Sequence, residues 1–180
     1  MSEVRQLVAQ AELIIIARCS GRLDPDGVGG EPVRRLAYDI ERALFGDAPA
    51  SSIYVVIPAR DASDDPPAML YADGRYLLFL GRGELSTRFA ATAAVPPELF
   101  YELVNAHDAL MLAGHRKGEF LNDALAKETG IDPITQAELY IEAMELLIGA
   151  LRGTRQDRPD AKLLEGPLGP WLRRQLEDAP

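Results

Sequence analysis

Cysteine, histidine and tryptophan are nearly missing from this chain, and each scarcity removes a class of function. A single cysteine, Cys19, cannot form an internal disulfide or a cysteine-rich zinc site, so nothing implies an oxidising compartment. Only two histidines, His107 and His115, are available for proton transfer or metal binding. No apolar stretch is long enough for a membrane span, and the opening residues MSEVRQLVAQAE are too polar for a secretory signal. Bases are also short: 19 Lys and Arg stand against 28 Asp and Glu, a net charge of −9, which opposes general affinity for phosphate backbones or anionic membranes. There is no glycine-rich phosphate loop, nucleophile elbow, internal repeat or low-complexity tract. A cytoplasmic, non-membrane protein is the expectation, and 180 residues suffice to bury a core without staples.

What is present centres on DGRYLLFLGRG, Asp73 to Gly83. Tyr76, Leu77, Leu78, Phe79 and Leu80 run without polar alternation between turn-forming glycines, the pattern of a strand covered on both faces. Three strands precede it. Glu12 to Ser20 places Leu13, Ile15, Ala17 and Cys19 on one face and Ile14, Ile16 and Arg18 on the other. Val33 to Leu44 puts Leu36, Tyr38 and Ile40 inward, and Ile53 to Ile57 stops at Pro58. Glu84 to Thr92 reads as a weaker fifth strand, and Ser2 to Gln10 as a short amphipathic helix. From Pro97 the apolar period lengthens to about 3.6. It predicts helices with stripes at Phe100, Leu103, His107, Leu110 and Met111, then over Gly118 to Thr129, then from Asp132-Pro133 through Ile141, Met144 and Ile148. A basic linker, Arg152 to Pro159, leads to a tail in which Leu168, Trp171, Leu172 and Leu176 align.

The order ELIIIARCSG, ERALFGDAP, IYVVI and G-x-YLLFL resembles the netrin-like and tissue-inhibitor-of-metalloproteinases-like modules of bacterial type, over residues 10 to 92. That resemblance implies an OB-type five-stranded barrel serving as a recognition module without catalytic residues. Two departures limit it. Phe45-Gly46 stands where such sequences often have lysine-glycine, and position 1 is Met, so the zinc-chelating N-terminal cysteine of the inhibitory members has no counterpart. Protease inhibition does not carry over.

The candidate chemistry is thin. Cys19 and His107 would make a nucleophile and base only if Cys19 left the apolar face it shares with Leu13 and Ile15. His107, His115 and Glu119 share a side only on a helix unbroken through Gly114. Asp24 with Asp26, and Asp61 with Asp64 and Asp65, offer oxygen ligands without the spacing of a calcium loop. Residues 125 to 139, LAKETGIDPITQAEL, have the spacing of a helix-turn-helix, yet 132 to 145 hold no Lys or Arg to meet DNA. An OB-type groove for single strands would need Tyr38, Tyr54, Tyr76 or Phe79 beside Arg34, Arg35, Arg42, Arg75, Arg82 or Arg88. The tail either docks into a groove on a partner or folds back on its own helices.

The expectation is therefore an α+β chain: a five-stranded OB-like antiparallel β-barrel with a short N-terminal helix over 1–96, followed by an acidic helical extension over 97–180. Its expected role is a non-enzymatic protein-binding adaptor or accessory subunit, with Leu168, Trp171, Leu172 and Leu176 as partner-binding residues and no cofactor, metal or catalytic group. The partner is another protein, a further copy of the chain included. The rival is a nucleic-acid-binding regulator using the barrel or the 125–139 corner.

Overall fold

In a computed structural model that describes residues 3–23, 33–58, 74–104, 109–114, 121–154 and 161–177, the apolar run lies in a strand at the centre of a six-stranded sheet. The strands are β1 (Leu13–Leu23), β2 (Val33–Phe45), β3 (Ser52–Pro58), β4 (Arg75–Gly81), β5 (Phe100–Leu103) and β6 (Ala109–Ala113). Their order is β1-β2-β3-β5-β4-β6, and a β1–β4 pairing closes the first five into a barrel. β4 pairs with β1 from Leu80 to Arg75, with β5 at Leu80 and Gly81, and with β6 from Leu78 to Arg75.

Period-2 alternation divides each strand between two cores. Leu13, Ile15, Ala17 and Cys19 of β1 and Tyr76, Leu78 and Leu80 of β4 fill the barrel interior, with Leu36, Tyr38, Ile53, Val55, Tyr101 and Met111. Ile14, Ile16, Leu77, Phe79, Leu110 and Leu112 face outward beneath a layer of helices. β4 is apolar on both faces for this reason: one side meets the barrel interior and the other the helices.

That layer comprises α1 (Glu3–Gln10), α3 (Leu121–Thr129), α4 (Ala137–Arg152), α5 (Ala161–Glu165) and α6 (Gly169–Glu177); α2 (Glu84–Thr92) covers the barrel elsewhere. α4 buries Tyr140, Ile141, Ala143, Met144, Leu146, Leu147, Ile148 and Gly149, too many for a single stripe, because it is wedged between the sheet and other helices. Three arginines tie it to the barrel side: Arg75 of β4 bonds Glu138 at 2.9 Å, Arg42 of β2 meets Glu145 at 2.8 Å, and Arg152 donates to the Ala11 carbonyl at 2.5 Å. Gly153, in the left-handed region at φ 65°, ends α4. Gly46 has φ 80°, and a Cβ there would lie 2.4 Å from the Glu12 carbonyl oxygen, so no other residue fits after β2.

Four expectations are corrected. The barrel is mixed rather than antiparallel throughout, because β3 and β5 run parallel through Tyr54–Phe100 and Val55–Tyr101. Glu84–Thr92 is helix α2, not a fifth strand: Leu85, Phe89 and Ala90 pack together, and Glu102 of β5 accepts the Ser86 N–H at 2.5 Å as a cap. The region after Pro97 is not helical at first. It forms a short 3-10 turn (Pro97–Leu99) and then strands β5 and β6, so the sheet draws on residues beyond 96. Finally, α4 starts at Ala137, because Asp132 holds a turn by accepting from the Ile134 N–H and the Thr135 hydroxyl.

Candidate functional site

Leu168, Trp171 and Leu172 lie at 0, 2 and 0% exposure in the core shared by α1, α3, α4 and the outer face of the sheet, and Leu176 is half-buried against it. The tail takes the second course open to it and folds back on its own helices. Gly169 permits this closeness, since its Cα sits against the Leu164 carbonyl. The fit is imperfect in one respect: the Trp171 indole N–H is buried and has no acceptor.

The aromatic residues of the single-strand reading are mostly interior. Tyr38, Tyr76 and Phe79 are fully buried, and Tyr38 meets Tyr76 edge-on at 6.1 Å. Its arginines are largely committed to carboxylates. Arg75 bonds Glu41 at 2.7 Å as well as Glu138, Arg18 meets Glu41 at 3.5 Å, Arg82 meets Glu12 at 3.6 Å, and Arg88 pairs with Glu84. The two carboxylates also push the Arg75 pKa up, with the Glu138 hydrogen bond the first cause. Arg82 in addition bonds the Tyr101 hydroxyl at 3.0 Å and lies over its ring.

One arginine differs. Arg35 points outward from β2, opposite Val56 in the β2–β3 register and diagonal to Tyr54. Its guanidinium lies over the Tyr54 ring at 5.0 Å and the Phe89 ring of α2 at 5.6 Å. Tyr54 stacks on Phe100 at 5.4 Å, and Phe89 packs on Phe100 at 5.3 Å, which fixes the platform. The Arg35 Nε is buried with no acceptor, and among the described residues no carboxylate pairs with this side chain. Farther along the same face of β2 come half-buried Ala37 and exposed Asp39, whose carboxylate accepts from Ser52 Oγ at 2.7 Å. The outer β2–β3 face thus carries a cation, an aromatic platform beside a small residue, and a carboxylate. Arg35 and Tyr54 are both outward by strand alternation, but their partnership with Phe89 depends on α2 being a helix.

Cys19 is buried in the barrel interior, where its thiol donates to the Gly21 carbonyl at 3.9 Å. His107, His115, Glu119, Asp24, Asp26, Asp61, Asp64 and Asp65 lie outside the described residues; among those described, no group of His, Cys, Asp or Glu is placed to hold a metal ion. Among the described residues no helix is long and apolar enough to cross a membrane. The 125–139 corner is a packed one: the Tyr140 hydroxyl donates to the Ile131 carbonyl at 3.0 Å and sits 2.6 Å from Thr129 Oγ1, and Tyr140, Ile141 and Met144 are buried.

Burial raises the phenol pKa of Tyr38 well above its usual value, with Cys19 and Tyr76 adding to the effect. Burial also raises Tyr101 against the lowering effect of Arg82, and raises Tyr140 against that of the Thr129 bond. A phenol with a raised folded pKa stabilises the fold fully below its unfolded pKa of about 10 and loses that contribution as pH climbs through the folded value. Alkaline titration followed at 295 nm is therefore expected to show these tyrosines ionising only together with unfolding, and Tyr38→Phe to move the unfolding limb to higher pH. Titration of all six tyrosines as ordinary phenols before any loss of structure would contradict the burial.

No protein-family model matches this chain, and no curated protein does.

Proposed function

We propose that this chain is a non-enzymatic protein-binding adaptor or accessory subunit built on an OB-like barrel of netrin-like type. The barrel has five strands closed out of sequential order, with β5 inserted between β3 and β4. That supports the OB-like reading, and in such barrels the strand 2–3 face is a habitual binding site, for oligonucleotides and oligosaccharides among other ligands. The observation that carries the proposal is the Arg35, Tyr54 and Phe89 platform on that face, whose guanidinium meets no carboxylate among the described residues. The Trp171 stripe is occupied by the chain's own core, so the barrel face serves the partner better than the tail.

The nucleic-acid reading draws on the same arginine beside an aromatic ring. Against it stand the carboxylates that neutralise Arg18, Arg42, Arg75, Arg82 and Arg88, and the exposed Glu138 and Glu142 on α4.

Affinity capture from native lysate by the wild-type chain and by an Arg35→Ala, Tyr54→Ala double variant decides the matter. The expected result is a stoichiometric protein partner that survives nuclease treatment and is retained at least about tenfold less by the variant, the scale of losing an interface anchor. Retention of nucleic acid, released by nuclease or high salt, would promote the rival. No retained macromolecule at all would end the adaptor reading.

A further inference from the structure

We propose that the Arg35 platform receives a carboxylate from an extended peptide segment of the partner, and that the same segment carries a basic residue four positions away to meet Asp39. This rests on the protein-binding reading above and names the chemistry of the partner.

A guanidinium presents its N–H donors in one plane. Its contacts with the Tyr54 and Phe89 rings hold the group beside the platform and attract its charge. Nε is buried without an acceptor, whereas among the described residues no hydrogen bond occupies the two Nη groups, which leaves that edge of the guanidinium for a ligand. Such an edge is complementary to a planar oxyanion, and a carboxylate can take two parallel bonds from it.

The neighbours select the kind of anion. Along the outer face of β2 the residues Arg35, Ala37 and Asp39 stand at strand alternation, which separates the Cα atoms of the first and last by about 13 Å. A run of phosphates would meet repulsion at Asp39, four residues from the Arg35 guanidinium. An extended peptide with an acid at one position, an apolar residue two later and a base four later places all three side chains on one face. They then match Arg35, the Tyr54 and Ala37 surface, and Asp39 in turn.

The test uses the full chain with arginine side chains observed by nitrogen-15 NMR. The probes are acetyl-Glu-Thr-Val-Thr-Lys-amide and its reversed sequence, the same peptides with Gln for Glu, and a ten-residue thymidine oligonucleotide. The expected result is a saturable shift of the Arg35 Nε–H signal with one or both Glu peptides, and an affinity, read in wild type and Arg35→Gln alike from backbone amide shifts around Ala37 and Tyr54, that falls about tenfold or more on the Gln exchange and on Arg35→Gln. Retained spectral dispersion in Arg35→Gln confirms that the variant is folded. Equal binding of Glu and Gln peptides, equal binding of the Glu peptide to Arg35→Gln, or no shift with any peptide overturns the proposal. Tighter, steeply salt-dependent binding of the oligonucleotide overturns it in favour of nucleic acid. Capture of a nuclease-resistant partner equally by wild type and Arg35→Gln leaves the adaptor reading standing while the carboxylate assignment falls. Absence of any captured partner removes both.

Discussion

Trp171→Ala is expected to lower the unfolding free energy by about 3–5 kcal/mol, the range for deleting a large aromatic from a packed core. Trp171 is 2% exposed and shares a cluster with Leu168, Leu172, Ile141, Met144 and Leu147. The substitution leaves a cavity between α6 and α4, and for a domain of this size a loss of that magnitude lowers the melting temperature by roughly 10 °C. Trp171→Phe separates packing from polarity. It keeps much of the ring and deletes the indole N–H, which lies buried without an acceptor at a cost of about 1–3 kcal/mol. Its penalty is therefore expected below about 2 kcal/mol. Thermal or urea unfolding measures both, and because Trp171 is the only tryptophan, its fluorescence reports the same contact directly. The native emission is expected at short wavelength, shifting to the red as the protein unfolds. A water-like native spectrum, or an Ala variant as stable as wild type, would show the tail undocked.

The second large effect is expected at Asn122, in the first turn of α3. Its amide oxygen accepts the Met111 N–H at 2.8 Å, and its amide nitrogen donates to the Met111 carbonyl at 2.8 Å. Met111 lies in β6, which pairs with β4 along one side only, and the Asn122 amide satisfies the other side as a further strand would. The side chain is 1% exposed, so Asn122→Leu leaves two buried backbone groups unpaired, a loss of about 2–5 kcal/mol. Asn122→Asp is the sharper variant. Its carboxylate accepts from the N–H but opposes the carbonyl, and burial favours its protonated form. The carboxyl pKa of that variant is then higher folded than unfolded, so its relative stability is expected to recover as pH falls toward the unfolded value of about 4. Unfolding titrations of both variants from pH 4 to 8 measure this. A flat difference between Asp and wild type across that range would show that the donated bond to Met111 carries no weight.

Asn122 shows where legibility from sequence stops. Nothing in LNDALAKET marks the second residue as the partner of a strand edge, because that pairing exists only once β6 and α3 are placed. Glu102 is similar: it sits in a strand, yet its role is to cap α2, 16 residues earlier in the chain. Without that cap, Glu84 to Thr92 offers Leu85, Thr87 and Phe89 at strand alternation as readily as Leu85 and Phe89 at helical spacing. Phe100 to Ala113 misleads in the opposite direction. Phe100 and Leu110 face outward and Tyr101 and Met111 inward, and burial on both sides erases the polar alternation that marks a strand. The candidate site divides the same way. Arg35 and Tyr54 are outward by alternation alone, whereas the β2–β3 register and the helical state of α2 bring Phe89 against them.

The sequence by itself determined the first four strands, the two-faced burial of β4, the alternation of β1 and the amphipathic tail, because each is written in local periodicity and turn chemistry. Only the tertiary structure decided the state of residues 84–104 and 109–113, the parallel β3–β5 pairing, and the direction in which Trp171 points. The physical reason is common to all three. A short apolar segment buries its surface wherever a complementary surface stands, and where that surface stands is a property of the assembled chain.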